Sequence, residues 1–516
     1  MAKLTVYNIR VCAVVTIAAF SYGFGASVFV TSVGQPGFFE YYKLDPQSLH
    51  TADILSAINA TFFAGCGIGA LLQCWAADRV GRRGALAIAA AFSLVGSALV
   101  AGSVHIAMLS VMRVIQGIGL GMLLALVPLY LTEVAPPKHR GVLTGSTQFS
   151  TGIGYIICSF GSIGCYHATN RTLSWRLPLA LACVGPLGLL IGLLFVPGDL
   201  ENTTQEASKL TKCSESPRYL IWQGKREEAW DVLKRLHHDP ANLSESDAGA
   251  EFTQIMRQVE LDKEDKFTFL KMFQKPSWRR RSMLAMALLF AQQGSGVYGL
   301  VNFFPLSVSS LGLTGDVPLI LYACLVTAAT IAIAFAMWMV DRFGRRALLL
   351  TGFASVACVL FIAALLQWKY QGSSNKAGKE ACIFSIFLFI VVFQCIDAPT
   401  FVWASEIFPT GIRAKGVSLA LFSYFVGVVT FSTPAASALQ TIKWGMIMIY
   451  AGFCVIFFIF TYLYIPETKG LPIEEIGALF GDSVAVHLTS DGDGIVEEKQ
   501  NEFQIENSAT VAGEKV

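Results

Sequence analysis

The sequence predicts an all-α polytopic membrane protein with twelve transmembrane helices arranged as two six-helix bundles. Three observations carry this: sparse charge, recurring long apolar runs, and an internal repeat. Only 14% of the 516 residues are charged and 54% are hydrophobic, whereas a soluble domain carries about 25% charge. The mean hydropathy is +0.56. Apolar runs fall near 9–31, 53–76, 85–104, 107–131, 141–164, 177–197, 282–312, 317–340, 347–368, 382–404, 416–439 and 444–465. Each can cross roughly 30 Å of hydrocarbon. Lipid offers the backbone no water partners, so these runs must be helices.

The first run is too long for a cleaved signal peptide and has no small-residue cleavage site, so it reads as a signal anchor. Lysine and arginine set the orientation. With a cytoplasmic N-terminus, inner segments hold 30 of the 38 Lys and Arg, outer loops hold 7, and Arg113 lies within a span. Both termini are therefore expected in the cytoplasm. The sequon Asn170-Arg171-Thr172 then falls outside, where Asn170 is a glycosylation candidate or an unused sequon. The twelve cysteines sit mostly in apolar runs without metal spacing and read as small buried hydrophobes. Cys165 and Cys382 both fall near the outer face, where a pairing stays open. Nothing in the charge balance points to nucleic acid, and no nucleophile–base constellation suggests an enzyme.

The repeat is explicit. Asp78-Arg79-Val80-Gly81-Arg82-Arg83 follows the second run, and Asp341-Arg342-Phe343-Gly344-Arg345-Arg346 follows the eighth, 263 residues later. Glu133 precedes Arg140 by seven residues, as Glu406 precedes Arg413, and both pairs are offset by 273. A parallel repeat about an axis along the membrane normal is the design of a transporter whose substrate sits between the halves. Basic loops alone would satisfy the positive-inside rule, but that rule does not write one six-residue pattern twice at the same topological place.

The domains follow: a first bundle over 1–197, a cytoplasmic loop with short helices over 198–281, a second bundle over 282–465 and a cytoplasmic tail over 466–516. Within the loop, Trp230, Leu233 and Leu236 share one face of an amphipathic stretch. From Asp482 onward the tail holds eight acidic residues against two lysines, a composition that predicts disorder.

The two arginine-rich loops, Pro128-Leu129-Tyr130-Leu131-Thr132-Glu133, Glu215-Ser216-Pro217-Arg218-Tyr219, Gln292-Gln293-Gly294-Ser295-Gly296 and Pro466-Glu467-Thr468-Lys469-Gly470 together resemble the sugar-porter family of the major facilitator superfamily, in the manner of its fungal members. The resemblance spans roughly 10–470. It implies the major facilitator fold and alternating access, with a sugar as substrate, the bilayer and in some members protons as partners, and no cofactor or metal. A monomer in the plasma membrane is expected. The charges Asp78, Arg82, Glu133 and Arg140, with Asp341, Arg345, Glu406 and Arg413, are candidates for an inner gate, or simply anchors for helix ends. The family pattern also exposes an insertion. Seventeen residues, Gly198–Ser214, separate Pro197 from Glu215. Their composition is polar, and their ends are compatible with a retained intron as well as with a genuine insertion.

A sugar needs uncharged amides and hydroxyls, with aromatic faces for its C–H side. Gln148, Thr151 and Tyr155 recur at helical spacing in the fifth run. The resemblance assigns substrate binding to Gln148, Gln292 and Gln293, although each could instead bond a neighbouring helix. Glycines 294, 296 and 299 would make the seventh helix breakable. Departures narrow the picture. Tyr298 and Tyr424 stand where the family often has asparagines, and Phe401 stands where it has tryptophan, with Trp403 two residues on. The four aromatics join the candidate binding set and suggest an unusual sugar.

Proton-linked members resemble one another in a first-span aspartate, where this chain has Phe20-Ser21-Tyr22-Gly23. The expectation is therefore a facilitator rather than a proton symporter. A carrier of another polyhydroxylated solute (a polyol, quinate or a disaccharide) is the near alternative, and a non-transporting sugar sensor the distant one. Arg113 and Asp397 remain as possible coupling residues. At 1.5 Å per residue they sit roughly 9 Å and 22 Å from the outer ends of their spans, too far apart in depth to pair.

Overall fold

The computed structural model describes residues 6–46, 48–134, 140–195, 220–221, 224–236, 269–313, 315–370, 372–373, 375–409, 412–469 and a few short stretches besides. Side chains of 6–14, 132–145, 194–195 and 232–236 lie outside the described set.

Among the described residues, ten helical runs are long and apolar enough to cross a membrane. One of them, Leu49–Ala101, is two spans that meet at Gly81, whose φ of 83° and ψ of 171° are not helical. Arg140–Tyr166 supplies the remaining helix. Its first half holds Thr144, Ser146, Thr147, Gln148, Ser150 and Thr151, which make it the polar member of the set. Twelve spans result. Span 1 is Val6–Val33, spans 2 and 3 share Leu49–Ala101, span 4 is Ile106–Val134 and span 5 is Arg140–Tyr166. Span 6 comprises Arg171–Leu181 and Val184–Phe195. Span 7 is broken into Pro276–Gln293, Val297–Asn302 and Phe304–Ser310. Spans 8, 9 and 10 are Val317–Phe343, Arg345–Tyr370 and Lys376–Glu406. Span 11 is Arg413–Ser432 continued by Ala435–Thr441, and span 12 is Trp444–Tyr464.

The sequence repeat is a structural repeat. Gly344 stands between spans 8 and 9 with φ 93° and ψ 165°, matching Gly81 between spans 2 and 3. A positive φ is costly for any residue with a Cβ, so glycine holds both corners. Beside each corner an arginine folds back to cap the preceding helix. Arg82 Nη1 donates to Ala77 O at 3.0 Å, and Arg345 Nη1 to Val340 O at 3.5 Å. The donors and the acceptors are each 263 residues apart, the offset of the loops themselves.

Span 7 breaks where its glycines cluster. Gly296 takes φ 75° and starts the segment that leads to Tyr298 and Asn302. In the central loop, a helix covers Arg226–Leu236, and Trp230 lies edge-on to Phe252 at 5.2 Å. The insertion at 198–214 lies outside the described residues. So does most of the tail past 482, apart from a two-residue pairing of His487–Leu488 with Ile495–Val496. Cys165 and Cys382 are free thiols, so the pairing left open by the sequence is not made. Asn170 is exposed and caps span 6, its Oδ1 accepting from the backbone N–H of Thr172 at 3.0 Å.

Candidate functional site

The two bundles meet around a central cavity of about 130 Å³. Span 1 contributes Tyr22, span 5 Gln148, Thr151, Gly152 and Tyr155, and span 7 Tyr298. Span 8 adds Thr330, span 10 adds Gln394, Asp397 and Phe401, and span 11 adds Tyr424. Gln148, Thr151 and Phe401 also line a second chamber that reaches Pro128, Ser405 and Arg413 near the face bearing the arginine-rich loops. This face is called the basic face below.

The sequence candidates sort clearly. Gln148 faces the cavity, and its amide makes no hydrogen bond among the described residues. Thr151 and Tyr155 stand beside it, as their helical spacing predicts. The hydroxyls of Tyr298 and Tyr424 meet at 2.9 Å, and Phe63 of span 2 packs on Tyr298 at 5.0 Å. Phe401 packs on Tyr424 at 5.5 Å. Gln292 lies one layer behind the lining and donates through Nε2 to Asp397 Oδ1. Gln293 is buried with neither amide atom bonded. A buried polar group left unpaired is costly, and Gln293 lines neither chamber.

Trp403 is a correction. It is 0% exposed, lines neither chamber, and donates through Nε1 to Pro466 O at 3.1 Å. Successive helical residues turn by 100°, so residues two apart point to nearly opposite sides. Phe401 takes the cavity side, and Trp403 is left to pin the end of span 12. Gln394 was missed by the sequence reading. It precedes Asp397 by three residues and Phe401 by seven, which places all three on one helical face.

Arg113 and Asp397 do not pair. Arg113 is 0% exposed and donates from Nη1 to Gln116 Oε1 at 3.0 Å and to Gly25 O at 3.3 Å. Its guanidinium lies over Phe62 at 4.0 Å and Phe29 at 5.0 Å, an arrangement that stabilises a buried cation through the ring faces. The glycine at position 23 also has a steric basis. A Cβ there would fall 2.0 Å from Thr151 O, because spans 1 and 5 cross in backbone contact. This crossing has no room for an aspartate.

The expected gate charges gather most fully in the second half. Arg345 reaches Glu406 Oε1 at 2.8 Å and Asp341 Oδ1 at 3.4 Å. Thr468 Oγ1 donates to Glu406 Oε2 at 2.8 Å. Glu467, not among the expected gate residues, accepts from the backbone N–H of Arg345 and Arg346, each at 2.9 Å. Partial burial pushes the Glu467 carboxyl up, but backbone donors from Arg345, Lys469, Arg346 and Thr468 outweigh it and hold the carboxyl below its ordinary value. Arg413 is buried and donates from Nε to Phe408 O at 3.2 Å. The side chains of Glu133 and Arg140 lie outside the described residues.

Contacts between the halves lie on both sides of the cavity. On the basic side Lys415 approaches Asp78 at 3.5 Å, and Ser418 donates to Gln73 Oε1 at 2.6 Å. On the far side Asn302 donates to Asn59 Oδ1 at 3.3 Å, and Ser27 meets Tyr322 OH at 3.2 Å. Ser437 bonds Asp53 Oδ1 at 2.5 Å. Polar contacts thus join the two halves on both sides of the cavity.

Known proteins share this architecture. The family model described as "Sugar (and other) transporter" matches residues 11–199 and 206–480, with its break inside the polar insertion. The chain is 30% identical to the MFS-type transporter criB of Aspergillus cristatus, covering 93% of this chain and 95% of that protein. It is 28% identical to Sugar transport protein 7 of Arabidopsis thaliana, covering 93% and 91%. The high-affinity glucose transporter of Kluyveromyces lactis is 26% identical, covering 94% and 87%. Among solved structures, the proton:xylose symporter XylE bound to 6-bromo-6-deoxy-D-glucose superposes with a TM-score of 0.76 at 22% identity, covering 92% of this chain and 99% of that one. A partially occluded, inward-open form of XylE from E. coli superposes at 0.71, with 22% identity and 90% and 99% coverage. Together with the twelve spans and the twofold repeat, the match establishes that this multi-pass membrane protein belongs to the sugar (and other) transporter family of the major facilitator superfamily.

Proposed function

We propose that the chain carries a sugar, or a closely related polyhydroxylated solute, across the membrane by alternating access. The observation that carries this reading is the cavity between the halves, with the free amide of Gln148 and the phenols of Tyr155, Tyr298 and Tyr424 on its wall. Amides and phenols both donate and accept, which is what a solute rich in hydroxyls requires. The rings of Phe401 and the tyrosines offer flat faces for the C–H side of a sugar ring. Gln292 and Gln293 act from just behind the lining, and a modest shift of the broken span 7 would bring them forward.

The Lys and Arg balance supports a cytoplasmic basic face and cytoplasmic termini. In this orientation Asp78–Lys415 and Gln73–Ser418 close the inner side, while Asn59–Asn302, Ser27–Tyr322 and Asp53–Ser437 close the outer side. The partly exposed Asp78–Lys415 pair is worth about 0–1 kcal/mol and each hydrogen bond about 0.5–1.5 kcal/mol, weak enough for each set to break in turn. The cluster of Arg345, Glu406 and Glu467 lies within the second half and braces the inner ends of its spans.

The test is uptake in a transporter-null host with a panel of radiolabelled hexoses, pentoses, disaccharides and polyols. Saturable uptake of one of them supports the reading. No uptake of any, from a chain present at the cell surface, contradicts it.

A further inference from the structure

Asp397 is a carboxylate on the wall of the cavity, and among the described lining residues of that cavity it is the only charged one. Gln292 donates to its Oδ1, which leaves Oδ2 for a proton or for a solute hydroxyl. The titratable groups facing it are phenols: Tyr155 from span 5, Tyr298 from span 7 and Tyr424 from span 11, with Tyr22 of span 1 next in the same cluster. Span 8 presents Thr330 among apolar residues. Span 9 meets span 10 at Gly352, against Cys395 and Ile396. Arg413 lines the adjoining chamber towards the basic face, where its Nε is held by Phe408 O. Arg113, the buried cation of the first half, is engaged with Gln116 and Gly25.

We propose that Asp397 is the site at which a proton binds and crosses the membrane together with the solute. The proposal rests on the carrier reading above and departs from the facilitator that Gly23 alone suggests. To pass from one face to the other, the carrier must for a moment close the cavity at both ends. An enclosed carboxylate with one neutral donor and no cation is expensive. In the empty carrier, water filling the cavity can solvate it. A bound solute expels that water, so the loaded cavity closes only after Asp397–COO⁻ has taken up a proton to become COOH. The neutral acid then donates its O–H to the solute. On opening to the other side the carboxyl is rehydrated, the proton leaves, and the carboxylate is restored. Proton and solute therefore move in the same direction, one to one, with no change in covalent bonding of the solute.

The experiment uses the purified full-length chain in liposomes loaded with a pH-sensitive dye, with D-glucose, D-xylose or mannitol as probe. For the probe that exchanges in counterflow, downhill influx should acidify the lumen by one proton per solute. Its binding should weaken tenfold per pH unit above the titration of Asp397, the slope of a single proton. In Asp397→Asn, acidification and pH dependence should both vanish whatever the residual exchange rate, and Asp397→Glu should restore them. Downhill influx of a probe that exchanges in counterflow, without lumenal acidification, would overturn the proposal, and needs no variant to be folded. pH dependence that persists in Asp397→Asn would also overturn it. Absence of counterflow for every solute tried would instead overturn the function proposed above, and this assignment with it.

Discussion

Substituting Gly23 by alanine tests the packing that sets the first half of the molecule. A Cβ at this position would lie 2.0 Å from Thr151 O and 2.8 Å from Thr151 C, against an ordinary contact of at least 3.4 Å. Spans 1 and 5 would have to part by about 1.4 Å at the crossing, the difference between those distances. The neighbouring Gly154 faces Phe20 O in the reciprocal sense, at 2.4 Å, so the strain cannot be relieved by sliding towards it. Overpacking of this kind costs about 1–3 kcal/mol. Losing the Thr151 Oγ1 hydrogen bond to Ala19 O, now 3.3 Å, adds about 1 kcal/mol. Better helix propensity returns roughly 0.5–1 kcal/mol. A net loss of about 1–3 kcal/mol is expected, seen as a drop of several degrees in the thermal unfolding midpoint in detergent. The control is Gly161→Ala, also on span 5, where an added Cβ meets nothing within 4 Å. It should be neutral or slightly stabilising. If Gly23→Ala proves as stable as Gly161→Ala, the backbone contact is wrong, and with it the steric reason for the missing first-span carboxylate.

Further outcomes follow from particular contacts. Gln148→Ala should abolish uptake without loss of surface expression, whereas Trp403→Phe should retain solute affinity and lower thermal stability, measured side by side by transport and by unfolding. Lys415→Glu places like charges at the inner closure, and should shift the population towards opening on the basic face by up to about fivefold, the worth of roughly 1 kcal/mol. Spin-label distances across the two halves would read that shift. Glu467 has its carboxyl held below the unfolded value of about 4.3. Its stabilising contribution is therefore complete above that pH and fades as pH falls through the lower folded value. Glu467→Gln should lower the unfolding midpoint at pH 7, and the gap to the unaltered chain should close below about pH 4.

Much of the architecture was legible in the sequence because bilayers enforce simple rules. Length and polarity alone delimit the spans, and the Gly81 and Gly344 corners were visible as repeated loops before their φ angles were known. The substrate face of span 5 was legible from helical spacing. Span 10 was equally legible in principle. Gln394, Asp397 and Phe401 share one face, and that periodicity excludes Trp403, but family likeness pointed to tryptophan and obscured it. Other features depend on distances between helices that no local pattern encodes. The close backbone crossing at Gly23, the placement of Gln292 behind Asp397 and the cross-half pair Asp78–Lys415 arise only when distant spans are packed together. Glu467 belongs to the same class. Its motif was visible, but two of the four backbone donors that hold it, Arg345 and Arg346, come from another span.

The most direct test of the central claim is counterflow in liposomes containing only this protein. Vesicles preloaded with an unlabelled sugar or polyol, then diluted into a trace of the same labelled solute, should show a transient accumulation of label that is lost in Gln148→Ala. Equal, non-saturable entry in protein-containing and empty vesicles, for every hexose, pentose, disaccharide and polyol tried, would contradict the account.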